Sequence, residues 1–177
     1  MYNLSVDFLR KIGIKKGMSV LDFGCGEGHY TIPLSKVVGE KGKIFAVDKD
    51  SFAFFKVSNI LKKENLNNVH LLNACSSVPA ENCFFDAALY FDVIHYERNR
   101  TKIYSEILKT LKKGGKYFVY PKLCSEDFPL MEFSSPSIKD IIKEISSACF
   151  QYEKTIATDC LHDTYINPCK ILFFSKT

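Results

Sequence analysis

No two of the seven cysteines are spaced CxxC, so the repeated pair that builds a structural zinc site is missing. No apolar run approaches the roughly 20 residues needed to span a bilayer. The N-terminus carries Asp7, Arg10 and Lys11 where a signal peptide needs an apolar stretch. There is no basic stripe with interleaved aromatics. The net charge is only +4, and the densest pairs (Lys15-Lys16, Lys62-Lys63 and Lys112-Lys113) sit near expected helix ends or turns, where solvated charge is ordinary. A nucleic-acid partner is therefore disfavoured. Repeats, low-complexity tracts and linkers are missing too, which predicts one domain over residues 1–177. The odd cysteine count, at positions 25, 75, 83, 124, 149, 160 and 169, predicts reduced thiols and a cytoplasmic protein.

Apolar periodicity is present throughout. Val6 to Ile12 has helical spacing and stops at Gly13; Met18 to Phe23 is a short strand-like run. Helix patterns over Tyr30–Val38, Phe52–Leu61 and Thr101–Leu111 alternate with strand patterns over Lys43–Val47, Val69–Leu72, Ala87–Phe91 and Lys116–Tyr120, the last following a Gly114-Gly115 turn. That alternation predicts an α/β fold, a doubly wound and mostly parallel sheet with helices on both faces. The tail breaks the rhythm. After a helix over Ile138–Phe150, the strand-like runs Gln151–Thr158 and Tyr165–Phe174 have no helix between them. So short a connection joins antiparallel neighbours, and the sheet should end in a hairpin.

Residues 20 to 31 read VLDFGCGEGHYT. The glycines at 24, 26 and 28 follow the first strand, at the end of a parallel sheet where ligands bind. A dinucleotide loop needs G-x-G-x-x-G, with the helix N-terminus facing a pyrophosphate. Here the pattern is G-x-G-x-G, and Asp22 beneath it would repel a pyrophosphate. It suits a ligand with a cationic amino group or sulfonium. The second strand ends AVDKD, which places the Asp48 carboxylate to accept from both hydroxyls of a ribose. Asp50, before Ser51 and an apolar run, reads equally well as a helix cap.

VLDFGCGEGHYT, AVDKD, FDAALYFDVIHY and ILKTLKKGGKYFV, in this order and spacing, resemble the motifs of class I S-adenosylmethionine-dependent methyltransferases. Within that superfamily the chain is most similar to the small-molecule branch that includes quinone-biosynthesis C-methyltransferases. The resemblance covers roughly Ile12 to Tyr120. It implies a Rossmann-like sheet of seven strands with an antiparallel last strand. It also implies the cofactor S-adenosylmethionine, with Gly24, Gly26 and Gly28 under its methionine part and Asp22 near its amino group. Asp48 would hold the ribose and Lys49 would lie near the adenine. Tyr90 and Phe91 read equally as core and cofactor-wall aromatics or as substrate contacts. One stretch departs from the family. The acid that normally accepts from the adenine amino group is replaced by Ala74, leaving the backbone of Ala74 and Cys75, or the Asn73 amide, to hold the ring.

Methyl transfer from a sulfonium needs in-line alignment and, for a weakly acidic acceptor, a base. The candidates are His29, Tyr30, His95 and Asp92, with His95 also readable as a packing residue. The N/D-P-P-Y/F motif of amino-methylating enzymes is absent, so the expected acceptor is O, C or S of a small molecule. The alternative is a non-catalytic, cofactor-binding partner subunit. Cys160, His162, Asp163 and Cys169 fit no common zinc spacing, so no metal is expected. Only about 20 residues precede the first strand, against the lid helices of relatives. The apolar stretch between Pro121 and Pro136, lying within Lys122 to Phe133, is then the expected cover of the site.

Overall fold

The computed structural model describes residues 2–73, 83–96, 99–122, 136–162 and 165–177. Helix α1 (Tyr2–Lys11) leads into β1 (Ser19–Phe23), α2 (Thr31–Val38), β2 (Lys43–Asp48), α3 (Ser51–Lys63) and β3 (Val69–Asn73). After β4 (Phe85–Phe91) comes one 3-10 turn, Ile94–Tyr96, then α4 (Arg100–Thr110) and β5 (Leu111–Tyr120). Helix α5 (Ile138–Ser147) and the strands β6 (Phe150–His162) and β7 (Tyr165–Lys176) complete the order. The seven strands form one sheet in the order β3-β2-β1-β4-β5-β7-β6. Strands β1 to β5 run parallel, while β7 is antiparallel to both β5 and β6. The expected hairpin is there, longer than its apolar pattern suggested because polar residues continue the ladder.

The chain reverses direction across the sheet between β1 and β4, and this switch point locates the ligand side. Strand side chains alternate between two cores. On one face Val20, Ile44, Leu89, Phe91 and Phe118 pack with Leu9 of α1 and Leu34 of α2. On the other, Leu21, Tyr90, Tyr117 and Phe174 pack with Tyr104 and Ile107 of α4 and Ile141 and Ile145 of α5. Each such buried side chain contributes about 1.5–3 kcal/mol of transfer free energy.

Two expectations change in detail. Gly114-Gly115 does not precede β5; the register passes from Phe85↔Leu111 to Ala87↔Lys116, so residues 112–115 bulge out of a strand that has already begun. Gly114 takes the left-handed backbone this requires, φ 74°. Second, Cys160 and Cys169 are joined by a disulfide rather than kept as thiols: they stand diagonally across the β6–β7 ladder, on rungs either side of the Asp159–Pro168 pair, with their Cα atoms 5.7 Å apart. No helix among the described residues is long and apolar enough to cross a membrane.

Candidate functional site

The site grows out of the turn after β1. The backbone amides of Gly24 and Cys25 both donate to the carbonyl of Val47, at 2.7 and 3.0 Å, which folds the loop over the end of β2. Asp48 at that end accepts from the Gly26 amide at 2.7 Å through Oδ2 and from the Asp50 amide at 3.0 Å through Oδ1. Its carboxylate is therefore the peg that holds the glycine loop. Each carboxylate oxygen keeps a second lone pair for a ligand. Asp50 is a cap: it accepts from the Phe52 amide at 2.8 Å and starts α3.

These groups border a cavity of about 970 Å³, the upper size range of small-molecule sites. Its glycine-loop wall holds Gly24, Cys25, Gly26, Glu27, His29 and Tyr30, and Asp48 and Lys49 come from the end of β2. Phe91, Asp92 and Val93 enter from β4, and Asn99, Lys102, Ile103 and Glu106 from around the start of α4. Leu161 closes the far side from β6. The geometry brings together Gly24, Gly26, Asp48, Lys49, Phe91, His29, Tyr30 and Asp92 of the residues singled out in the sequence.

Others fall elsewhere. Tyr90 does not line the cavity; strand alternation points it into the opposite core, against Phe23, Tyr104 and Tyr117. Gly28 is a packing position, since a Cβ there would stand 2.9 Å from Val57 of α3. His95 lies in the 3-10 turn, its Nδ1 3.9 Å from Asp92 and its ring against Tyr96, and is not among the cavity walls. Asn73 ends β3, and Ala74 and Cys75 lie outside the described residues. So does Asp163, along with residues 123–135 of the expected cover. Among the described residues no metal-holding group of acids, histidines and cysteines is found.

Asp22 sits behind the loop rather than in the open cavity. It is 3% exposed, and its Oδ2 accepts from the Thr31 hydroxyl at 2.6 Å. Burial pushes its carboxyl up to about 6, against the Thr31 hydrogen bond and with a smaller push from the Asp48 charge. A raised carboxyl holds its proton more tightly folded than unfolded. Its stabilising effect is complete below the ordinary value near 3.8 and disappears as pH rises through about 6. A rise of about two units corresponds to about 3 kcal/mol. Asp22→Asn keeps an acceptor for Thr31 but cannot titrate. Urea unfolding from pH 3.5 to 7 should show wild type losing about 3 kcal/mol relative to the variant; parallel pH curves would mean Asp22 ionises freely.

The Tyr30 hydroxyl donates to the Leu161 carbonyl at 2.9 Å and accepts from the Leu161 amide at 3.0 Å. Burial raises its pKa despite that bond. The phenol is a structural clamp between α2 and β6, so it supplies no base; its ring meets Phe91 edge-on at 4.9 Å. Burial likewise pushes the Cys25 thiol up, which keeps it protonated. Tyr30→Phe leaves a buried amide and carbonyl without this partner, and should lower unfolding stability by about 1–3 kcal/mol. An unchanged urea midpoint would count against the clamp. Asp92 has φ 58°, a left-handed conformation uncommon outside glycine but one that aspartate and asparagine adopt more readily than other residues, and its amide donates to Tyr120 O at 3.0 Å. His29 and Asp92 thus remain as the base candidates that face the cavity.

Tyr96 also lines the cavity, and it, Leu161 and the α4 residues are not among those the sequence singles out. Lys102, Ile103 and Glu106 share one helical face, a signal that periodicity could have offered; Leu161 is brought in by tertiary pairing alone.

Residues 14–169 match the family described as a methyltransferase domain. The chain belongs to this methyltransferase-domain family. It is 30% identical over 129 residues to a ubiquinone/menaquinone biosynthesis C-methyltransferase of Blochmanniella floridana, covering 71% of this chain and 46% of that protein. A demethylmenaquinone methyltransferase of Lactococcus lactis is 28% identical over 109 residues, which is 61% of this chain and 43% of the relative. This methyltransferase-domain chain thus spans less than half the length of those two curated relatives. A SAM-dependent methyltransferase from Aquifex aeolicus shares the fold, with a TM-score of 0.83, 22% identity, and coverage of 98% of this chain and 89% of that one. The fold is that of class I methyltransferases, as the motifs implied.

Proposed function

We propose that the chain is an S-adenosylmethionine-dependent methyltransferase acting on O, C or S of a small molecule. The observation that carries this reading is the Asp48 carboxylate, pinned by the Gly26 amide at the edge of a cavity large enough for cofactor and acceptor together. Asp48 would receive the ribose hydroxyls, with Lys49 beside it. Gly24, Cys25 and Gly26 offer a wall of backbone to the methionine part, and the buried Asp22, its carboxyl raised to about 6, adds negative charge behind it at neutral pH. The cofactor supplies an electrophilic methyl group. The chain's own work is to exclude water and orient the acceptor. Tyr30, Phe91, Val93 and Leu161 make an apolar wall, and His29 and Asp92 stand ready to hold or take an acceptor proton. Aromatic faces near a sulfonium add about 0.5–2 kcal/mol by cation–π attraction.

The test is calorimetric titration with S-adenosylmethionine and S-adenosylhomocysteine, followed by a metabolite screen that detects S-adenosylhomocysteine formation. Saturable binding with turnover of one metabolite supports the reading. No heat for either ligand up to about millimolar concentration would end it, and binding without turnover across the screen would favour a non-catalytic, cofactor-binding subunit.

A further inference from the structure

The opposite end of the sheet, where β1, β4 and β5 begin, carries a second concavity of about 460 Å³. Five lysines line it: Lys15 ahead of β1, Lys112 and Lys113 in the β5 bulge, Lys116 on β5, and Lys154 on β6. Two acids accompany them, and both are occupied. Asp86 accepts from the Ser19 amide at 2.8 Å and pairs with Lys112 at 2.6 Å. Glu153 holds Lys116 at 2.6 Å, which keeps its carboxyl below the usual range. Lys15, Lys113 and Lys154 form no ion pair among the described residues, and the Lys154 ammonium lies 5.0 Å over the Phe173 ring. Five positive charges against two negative ones leave three in this one hollow, in a chain whose whole excess is four.

Like charges gathered on a concave surface repel one another and concentrate an anion. The bulge adds open backbone, since a Cβ on Gly114 would meet nothing within 4 Å. Acids that fix Lys112 and Lys116 leave Lys15 and Lys113 for a ligand, with the Lys154 ammonium held nearby over Phe173 and its charge also acting on Glu153.

We propose that this hollow is a binding site for a small anion carrying a chain of phosphate groups, distinct from the methyltransferase cavity. Its volume suits one compact ligand. Nucleic acid is a poorer match: the aromatics that line the hollow, Phe118 and Phe173, are buried; the exposed Phe52, Phe55 and Tyr96 do not line it, and the exposed Tyr152, beside Glu153 on β6, turns its ring onto Phe174 rather than into the hollow. A stacking platform for bases is therefore lacking among the described residues.

The experiment is titration of the full chain with inorganic triphosphate, then with ATP, each under saturating S-adenosylhomocysteine to block the other cavity. One saturable site is expected, weakened about tenfold or more by Lys15→Glu or Lys113→Glu, exposed positions where charge reversal acts on the local field. Equal affinity for both probes assigns recognition to the phosphates; tighter ATP assigns part of it to the nucleoside. S-adenosylhomocysteine affinity should be the same in both variants, which verifies their folding and separates this site from the methyltransferase reading. Heat that never saturates, or affinity unchanged in both variants, overturns the proposal in favour of diffuse surface charge. A ten-nucleotide single strand that binds more tightly than triphosphate and is lost in the same variants would overturn it in favour of a nucleic-acid interface.

Discussion

Asp48→Ala should weaken S-adenosylhomocysteine binding about 10- to 150-fold, the equivalent of about 1.5–3 kcal/mol for a hydrogen bond to a charged group. Two losses combine in that figure. The carboxylate proposed to accept from the ribose disappears, and the Gly26 amide loses the group that holds it at 2.7 Å. The two can be separated. Asp48→Asn retains an acceptor for the Gly26 amide but not the charge, so it should keep the loop and lose only part of the affinity. Calorimetry of both variants, with urea unfolding of each apo form, makes the comparison. If alanine binds S-adenosylhomocysteine as wild type does, Asp48 is a structural peg and the ribose lies elsewhere.

Much of the lining of the candidate cavity is legible in the sequence. Three glycines at alternate positions after a short apolar run mark a turn that only a few ligands need, and Asp48 follows at the end of the next strand. Both signals are local, so the sequence carries them directly. Asp22 was legible as an unusual residue but not as a buried one. Its partner is Thr31, nine positions on, and that pairing depends on how the loop folds back over β1. Tyr90 and Phe91 show the opposite case. Either could have faced the cavity, and only the pleat of β4 between two helical layers decides that Phe91 does. Leu161 lies 131 residues from Tyr30 in sequence, and no local pattern could have joined them. The fold class was legible because β–α alternation is periodic; the β5 bulge was not, because Gly114-Gly115 makes a turn signal whether or not a strand has already begun.

The largest expected stability effect belongs to Gly24→Ala. Gly24 has φ 78°, a backbone region that costs a residue with Cβ about 1–2 kcal/mol. An added Cβ would also stand 2.9 Å from Val93 Cγ1 and nearer still to its Cγ2, and such overpacking costs about 1–3 kcal/mol. Together these predict a loss of about 2–5 kcal/mol, a large part of the stability of a domain this size. Gly26 provides the control. It too has positive φ, 50°, but a Cβ there meets nothing within 4 Å, so Gly26→Ala should lose only the backbone part, about 1–2 kcal/mol. The contact with Val93 can be isolated by a double-mutant cycle. Val93→Ala removes the two γ-carbons that Gly24→Ala would strike hardest, leaving only the tight Cβ contact at 3.2 Å, so the double variant should be more stable than the two single losses predict, by about 1–2 kcal/mol of coupling. Urea unfolding of the four proteins measures it. Strict additivity would mean that the loop shifts to admit the new methyl group. In that case Val93 does not fix the height of the glycine loop above the cavity, and the loop's shape is set by the Val47 carbonyl and the Asp48 carboxylate alone.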